Sequence, residues 1–154
     1  MNQQTDKDGN TLLHGAASGN NIARLRSILA EDGYDVDAKN LKGERPMDIA
    51  FKHGRHENVA ELARSGARPM TEREMGLANV RREIEAERAR VLSDATVEDY
   101  GDRAGKMDDV VFWIDLHGTR KRLDISRSEL DNSHTTLDGY AARRIAAVFA
   151  SLQS

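Results

Sequence analysis

The segment DGNTLLHGAASGN, residues 8–20, places leucine beside a run of very small side chains in a chain that is otherwise polar. Its glycines mark turns or helix ends, and the residues between them suit a short helix. Alanine and glycine also let a second backbone approach closely. The segment therefore predicts a short helix that packs tightly against a neighbouring helix.

The same pattern returns 34 residues later. In each copy a glycine turn leads into a short helix, a break follows near Gly19 or Gly54, and a second helix comes after it. The aligned pairs are Gly9 and Gly43, Leu13 and Met47, Ala16 and Ala50, Leu25 and Val59, and Ile28 and Leu62. Self-similarity at this period predicts two structural repeats in the first half of the chain.

The sequence NTLLHGAASGN resembles the T-P-L-H-x-A-A-x-x-G pattern of ankyrin repeats, and DGYDVDAKNLKG resembles the finger that joins such repeats. The second copy keeps Pro46 and Gly54, whereas Asp48 stands in place of the histidine and Phe51 in place of an alanine. The resemblance covers residues 5–69. It implies a stack of two helical hairpins, with His14 as a structural residue that ties its turn.

A repeat cannot bury its apolar face alone, and three or more are normally needed for stability. In residues 70–93 an apolar stripe runs along one side of a predicted helix; it consists of Met70, Leu77, Val80, Ile84 and Val91. We expect this helix to cap the open end of the stack. Leu77, Ile84 and Val91 are spaced by seven residues, as in a coiled coil. A weak homodimer formed through this helix is therefore an alternative to a monomer.

The remaining chain predicts a polar loop over residues 93–106 and a small ββα unit over residues 106–152. DDVVFWIDLHGTRKRLDIS reads as a β-hairpin, and TTLDGYAARRIAAVFASL reads as a helix with one broad apolar face. We recognise no family in this part. The predicted fold is mostly α: a two-repeat ankyrin stack, a capping amphipathic helix and the ββα unit.

Composition excludes several classes of function. The chain has no cysteine, its net charge is -3, and charged residues make up 32% of it. Disulfides and thiolate metal sites are therefore excluded, and a chain-wide electrostatic footprint for nucleic acid is not expected. The first ten residues are polar, and nothing approaches the ~18 apolar residues of a membrane span. These observations predict a cytoplasmic protein without membrane contact.

No pattern in the sequence predicts a catalytic, cofactor or metal site, so we expect a protein that is not an enzyme. His53 and His56 are three apart but lack a third ligand. Ser133, His134 and Asp138 leave a small hydrolase as a remote alternative. IDLHG resembles a motif of small MutS-related nuclease domains, but no helix follows it, so we interpret it as a hairpin turn.

The function implied by the resemblance is protein binding through the finger and the first helices. Carried over residue by residue, the finger contributes Lys39, Asn40, Leu41, Lys42 and Glu44, and the first helices contribute Gly15, Ser18, Ile49, Lys52 and His53. We expect a small bacterial or phage accessory factor that binds and inhibits or regulates a larger protein or nucleoprotein complex, as an immunity or anti-defence inhibitor would. The alternative is an RNA- or DNA-associated factor that uses Arg120, Lys121 and Arg122 of the hairpin.

Overall fold

The repeat predicted from the sequence is visible in the spacing of the helices. In the computed structural model, which describes residues 5–31, 33–99 and 110–153, the chain divides into two units, Met1–Thr71 and Glu72–Ser154. The first unit holds α1 (Leu12–Ser18), α2 (Ile22–Leu29), α3 (Pro46–Lys52) and α4 (His56–Arg64). Both α3 and α4 begin 34 positions after their counterparts, so the predicted repeat is confirmed.

Each first helix begins in the same way although the residues differ. The Thr11 N–H donates to His14 Nδ1 at 3.0 Å, and the His14 N–H donates back to the Thr11 hydroxyl at 3.4 Å. In the second repeat the Arg45 N–H donates to Asp48 Oδ2 at 2.9 Å. The carboxylate of Asp48 thus supplies the acceptor that the imidazole supplies in the first repeat, which explains how the turn tolerates the departure from the ankyrin pattern.

The small residues of the segment 8–20 lie in the packed core of this unit. Ala16 and Ala17 are at most 3% exposed and lie in one apolar cluster with residues of all four helices. The cluster consists of Leu13, Ala16, Ala17, Leu25, Ile28, Met47, Ala50, Leu62 and Ala67. A side-chain amide reinforces it, since Asn58 Nδ2 donates to the carbonyl oxygens of Ala17 and Gly19, both at 2.9 Å.

The second unit is an antiparallel sheet packed by helices. It comprises α5 (Glu72–Val91), β1 (Thr96–Asp99), β2 (Val110–Leu116), β3 (Thr119–Ile125), α6 (Arg127–Asn132) and α7 (Gly139–Gln153). The strand order is β1-β2-β3. The hairpin between β2 and β3 turns at His117 and Gly118, both with positive φ, and the Gly118 N–H donates to Asp115 Oδ1 at 3.0 Å. The IDLHG segment therefore forms a turn, as interpreted.

The predicted loop over residues 93–106 was wrong in part. Thr96–Asp99 form β1 and pair with residues 112–115 of β2, so the sheet has three strands where two were predicted. The burial of β1 alternates between exposed and half-buried, and Val97 is its only apolar residue, so the strand carries a weak hydrophobic signal. Residues 100–106 of the predicted loop, together with the predicted start of the ββα unit, lie outside the described residues.

Three residues of the apolar stripe on α5 are buried in the core of the second unit, and the expected capping of the repeat stack by this helix stays a prediction. Leu77, Val80 and Ile84 belong to one cluster with the sheet and α7, whereas Met70 precedes the helix and packs against the core of the first unit. Two of the three residues of the alternative coiled-coil seam, Leu77 and Ile84, are thus packed within this unit, which disfavours the weak homodimer. In the described part of the chain, no helix combines the length and apolarity that crossing a membrane requires.

Candidate functional site

A groove of about 660 Å³ lies on the first unit, beside the helices α1 and α3. Two turns also border it: the first finger, residues 5–10, precedes α1, and the second finger, residues 39–44, precedes α3. Most of the sequence-predicted contact residues line it. These are Gly15, Ser18, Asn40, Lys42, Glu44, Ile49, Lys52 and His53. Lys39 and Leu41, the two other residues predicted on the finger, are exposed but do not line the groove.

Three of the predicted contact residues form the floor of the groove. Asn40 is 8% exposed, Glu44 2% and Ile49 7%. The Asn40 side-chain oxygen accepts the backbone N–H groups of Lys42 at 3.0 Å and Glu44 at 2.9 Å, so this amide shapes the second finger turn. The polar backbone of a tight turn needs acceptors, and the Asn40 amide supplies one. The Glu44 carboxylate in turn accepts from Asn40 Nδ2 at 3.2 Å, so both predicted contact residues also bond within the finger.

Lys52 is held by an ion pair within the groove. Its Nζ lies 2.8 Å from Glu44 Oε2, and its side chain is 19% exposed while that of Glu44 is 3% exposed. Because a buried carboxylate is unfavourable without a cation, Lys52 compensates Glu44 and does not extend freely from the concave side. Lys42 and His53 are the predicted groove residues of the second repeat that stay exposed.

His14 connects α1 to the second finger. Its Nε2 lies 2.9 Å from the carbonyl oxygen of Glu44, and its Nδ1 accepts the Thr11 N–H. A carbonyl oxygen only accepts and a backbone N–H only donates, so the imidazole is neutral with the proton on Nε2. Burial lowers the pKa of His14 below its ordinary value of 6.5. The structural role expected for His14 is thus seen in its contacts.

The first finger also lines the groove, and its residues were missed from the sequence. Asp6 and Asp8 of this finger contribute to the lining, together with Leu12 at the start of α1. The backbone N–H of Asn10 donates to the carboxylate of Asp6 and lowers its pKa, which keeps this exposed side chain anionic. A signal was available, because the 34-residue period aligns Asp8 with Lys42, a residue that had been selected.

Two exposed leucines flank this region. Leu12 is 55% exposed and lines the groove, and Leu41 is 53% exposed at the tip of the second finger. The two fingers touch each other, since the Leu41 N–H donates to the Asp8 carbonyl at 2.9 Å. A Cβ on Gly9, which has φ of +78°, would lie 2.9 Å from Leu41 N. Gly9 thus allows the close approach that sets the finger spacing.

The three basic residues of the hairpin do not form one patch. Paired residues of adjacent strands share a face, so Arg122 lies beside Trp113 and Arg120 beside Asp115, whereas Lys121 lies beside Ile114 on the opposite face. Arg120 stacks 4.6 Å above the ring of Trp113. Arg120 and Arg122 therefore lie on one face of the hairpin and Lys121 on the other, because consecutive strand residues alternate in direction.

The arginines of the hairpin also have acidic partners. Arg120 lies 3.0 Å from Glu98, and Arg122 lies 2.6 Å from Asp124. Both pairs are exposed, so they add little to stability, but they offset the positive charge of this face.

The residues considered for a hydrolase serve helix ends. The Ser133 hydroxyl donates to the carbonyl of Glu129 at 2.6 Å, and His134 Nδ1 donates to the carbonyl of Asp131 at 2.8 Å. Asp138 accepts the Ala141 N–H at 3.1 Å, at the start of α7. These contacts place no histidine as a base for the serine. Within the described ranges, no three histidine or acidic side chains lie close enough together to hold a metal ion.

Comparison with known proteins supports the resemblance on which these positions were selected. The chain is similar to ankyrin-repeat proteins. Rabankyrin-5 of Homo sapiens is 41% identical over 70 residues, which are 45% of this chain and 6% of that protein. The NF-kappa-B p105 subunit of Gallus gallus is 32% identical over 84 residues, 54% of this chain and 8% of the relative.

A third relative matches a longer part of the chain. The poly [ADP-ribose] polymerase tankyrase of Caenorhabditis elegans is 29% identical over 132 residues, which are 86% of this chain and 5% of that protein. No protein-family model matches the chain. The chain spans less than a tenth of each of these relatives (6%, 8% and 5%), so the similarity does not extend to the whole proteins.

Proposed function

We propose that this chain is a protein-binding module that takes its partner in the groove between the fingers and the first helices. The observation that carries the proposal is the groove itself, about 660 Å³ in volume and bordered by the exposed side chain of Leu12. Similarity to ankyrin-repeat proteins supports a protein as the partner. A concave surface with an exposed apolar residue and a charged rim has the composition of a recognition surface.

The contacts proposed for the partner differ from those expected from the sequence. The exposed residues Lys39, Leu41, Lys42 and His53 are the contacts of the second repeat, and Leu12 is added from the first. The other predicted residues support these contacts from below: the groove floor and its ion pair consist of Asn40, Glu44, Ile49 and Lys52.

The proposed biological role is that of a small accessory factor of a bacterium or phage. In this role the chain acts in the cytoplasm, has no catalytic activity, and inhibits or regulates a larger protein or complex by occupying one of its surfaces. The architecture alone, two repeats followed by a second small unit, supports this role.

Affinity purification of the full chain from its native cell, followed by mass spectrometry and calorimetry with the purified partner, tests the proposal. We expect Lys42→Glu to weaken binding at least tenfold, because it reverses a rim charge. The matched control is Arg120→Glu with Arg122→Glu on the hairpin, which leaves binding unchanged. Loss of binding in the hairpin variant with retention in Lys42→Glu contradicts the proposal.

The nucleic-acid alternative has a separate signature. Contacts to phosphates release counterions, so the affinity for RNA or DNA falls steeply as salt concentration rises. The acidic partners of Arg120 and Arg122 disfavour this alternative. A steep salt dependence that disappears in the hairpin variant supports the alternative and counts against the groove.

A further inference from the structure

The two repeats carry very different side chains at one equivalent position of the groove. The 34-residue period aligns Gly15 in α1 with Ile49 in α3, and both residues line the groove. Ile49 fills its position with a branched side chain that is 7% exposed. Gly15 is exposed and places no side chain there. The floor is therefore filled in the second repeat and bare in the first.

Neither packing nor backbone geometry requires a glycine at position 15. Gly15 lies inside α1 without a positive φ, and a Cβ added to it would meet nothing within 4 Å. At Gly76 the situation is the reverse, because a Cβ there would lie 1.7 Å from the Leu130 carbonyl oxygen. Glycine inside a helix is unfavourable relative to alanine. The structural consequence of this glycine is open space above the floor.

The rim beside this space carries an anionic side chain. Asp8 and Lys42 are equivalent finger residues of opposite charge, and both line the groove. Asp8 is exposed, and its carboxylate accepts no hydrogen bond from the residues that the structure describes. Leu12 precedes Gly15 by three residues and therefore lies on the same side of α1. The first repeat thus offers an apolar wall, a bare floor and a free carboxylate.

We propose that the groove accepts an extended segment of another protein that places a large apolar side chain over Gly15 and a basic residue against Asp8. Leu12 and Ile49 border the apolar side chain, and the carboxylate attracts the lysine or arginine next to it. This inference rests on the proposed function, which it makes specific by naming the chemistry of the partner.

A random dodecapeptide library displayed on phage and selected on the immobilised full chain tests the inference. We expect the enriched peptides to carry lysine or arginine near leucine, methionine, phenylalanine or tryptophan. Synthetic copies, measured by fluorescence anisotropy, should bind Gly15→Ile at least tenfold more weakly, because the isoleucine of the second repeat then fills the space. Asp8→Lys should weaken binding by a similar factor.

The matched control is Ala60→Ile, which adds the same side chain at an exposed position of α4 outside the groove. It should bind the peptides as the parent chain does, while the melting temperature of Gly15→Ile stays at or above that of the parent. Peptides that bind Gly15→Ile at full affinity, or a selection that enriches none, overturn the inference. If Lys42→Glu still abolishes binding of the native partner, the groove function stands and only its chemistry is wrong.

Discussion

The imidazole Nε2 of His14 lies 2.9 Å from the carbonyl oxygen of Glu44, thirty residues away along the chain. The contact joins the first helix of one repeat to the finger of the next. The other ring nitrogen of His14, Nδ1, accepts the Thr11 N–H, so the imidazole is neutral in the folded state. Both contacts depend on a single proton on Nε2, which makes the stability of the repeats sensitive to acid.

The pH dependence of unfolding tests this contact. Burial lowers the folded-state pKa of His14 below 6.5, so between those two values the unfolded chain binds more protons than the folded chain. The free energy of unfolding then rises with pH in that window and falls as the solution is acidified below about pH 6.5. Urea denaturation at several pH values measures it. A His14→Gln variant should lose this part of the slope, and an equal slope in both chains would be incompatible with the assignment.

The ion pair of Lys52 and Glu44 predicts a difference between two lysines of the groove. Lys52→Glu places a second carboxylate beside Glu44, which is 3% exposed, and we expect it to lower the free energy of unfolding by about 3 kcal/mol. Lys42→Glu changes an exposed side chain and should stay within about 0.5 kcal/mol of the parent. Urea denaturation compares them. Equal effects at the two positions would show that the pair does not form.

Two helical glycines should respond to alanine in opposite directions. Gly15→Ala finds open space and should raise the free energy of unfolding by about 0.5–1 kcal/mol. Gly76→Ala places a Cβ against the Leu130 carbonyl, where α5 and α6 touch, and should lower it by about 3 kcal/mol. Thermal melts followed by circular dichroism give both values. Destabilisation by Gly15→Ala would mean that the glycine has a role in folding.

The burial of the α5 stripe predicts the effect of a charge at Ile84. Ile84→Asp puts a carboxylate into the core of the second unit and should cost roughly 4 kcal/mol. Ala86→Asp lies on the exposed side of the same helix and should have an effect within about 0.5 kcal/mol. Denaturation of both variants checks the prediction. A small effect of Ile84→Asp would place the stripe at the surface.

The repeats could be predicted from the sequence because their signals are local and occur twice. The glycine turns, the alanines and the 34-residue period predict α1 to α4. The resemblance to ankyrin repeats predicts contact residues, and most of these line the groove. The surface that buries an apolar helix stripe is harder to predict from the sequence. Leu77, Val80 and Ile84 show only that one side of α5 is buried, and the surface that buries them depends on how distant segments fold.

The other differences between the structure and the prediction from the sequence concern side-chain partners and one weak strand. Glu44 precedes α3 and Lys52 is the last residue of that helix, and nothing in their spacing distinguishes an ion pair from two exposed charges. β1 has four residues and one apolar side chain, so its pairing with β2 supplies the structure that its own sequence does not specify. The open space at Gly15 can be recognised only from the structure, because the sequence does not show that this glycine lines a groove.

Site-specific photo-crosslinking in the native cell tests the central claim most directly. A benzophenone amino acid replaces Leu12 in the groove or Tyr140 in α7, two apolar side chains of similar exposure at 55% and 65%. If the groove binds a protein, the Leu12 variant gives a discrete adduct of higher mass after irradiation, and the Tyr140 variant gives none. An adduct at Tyr140 with none at Leu12 would contradict the claim and move recognition to the second unit.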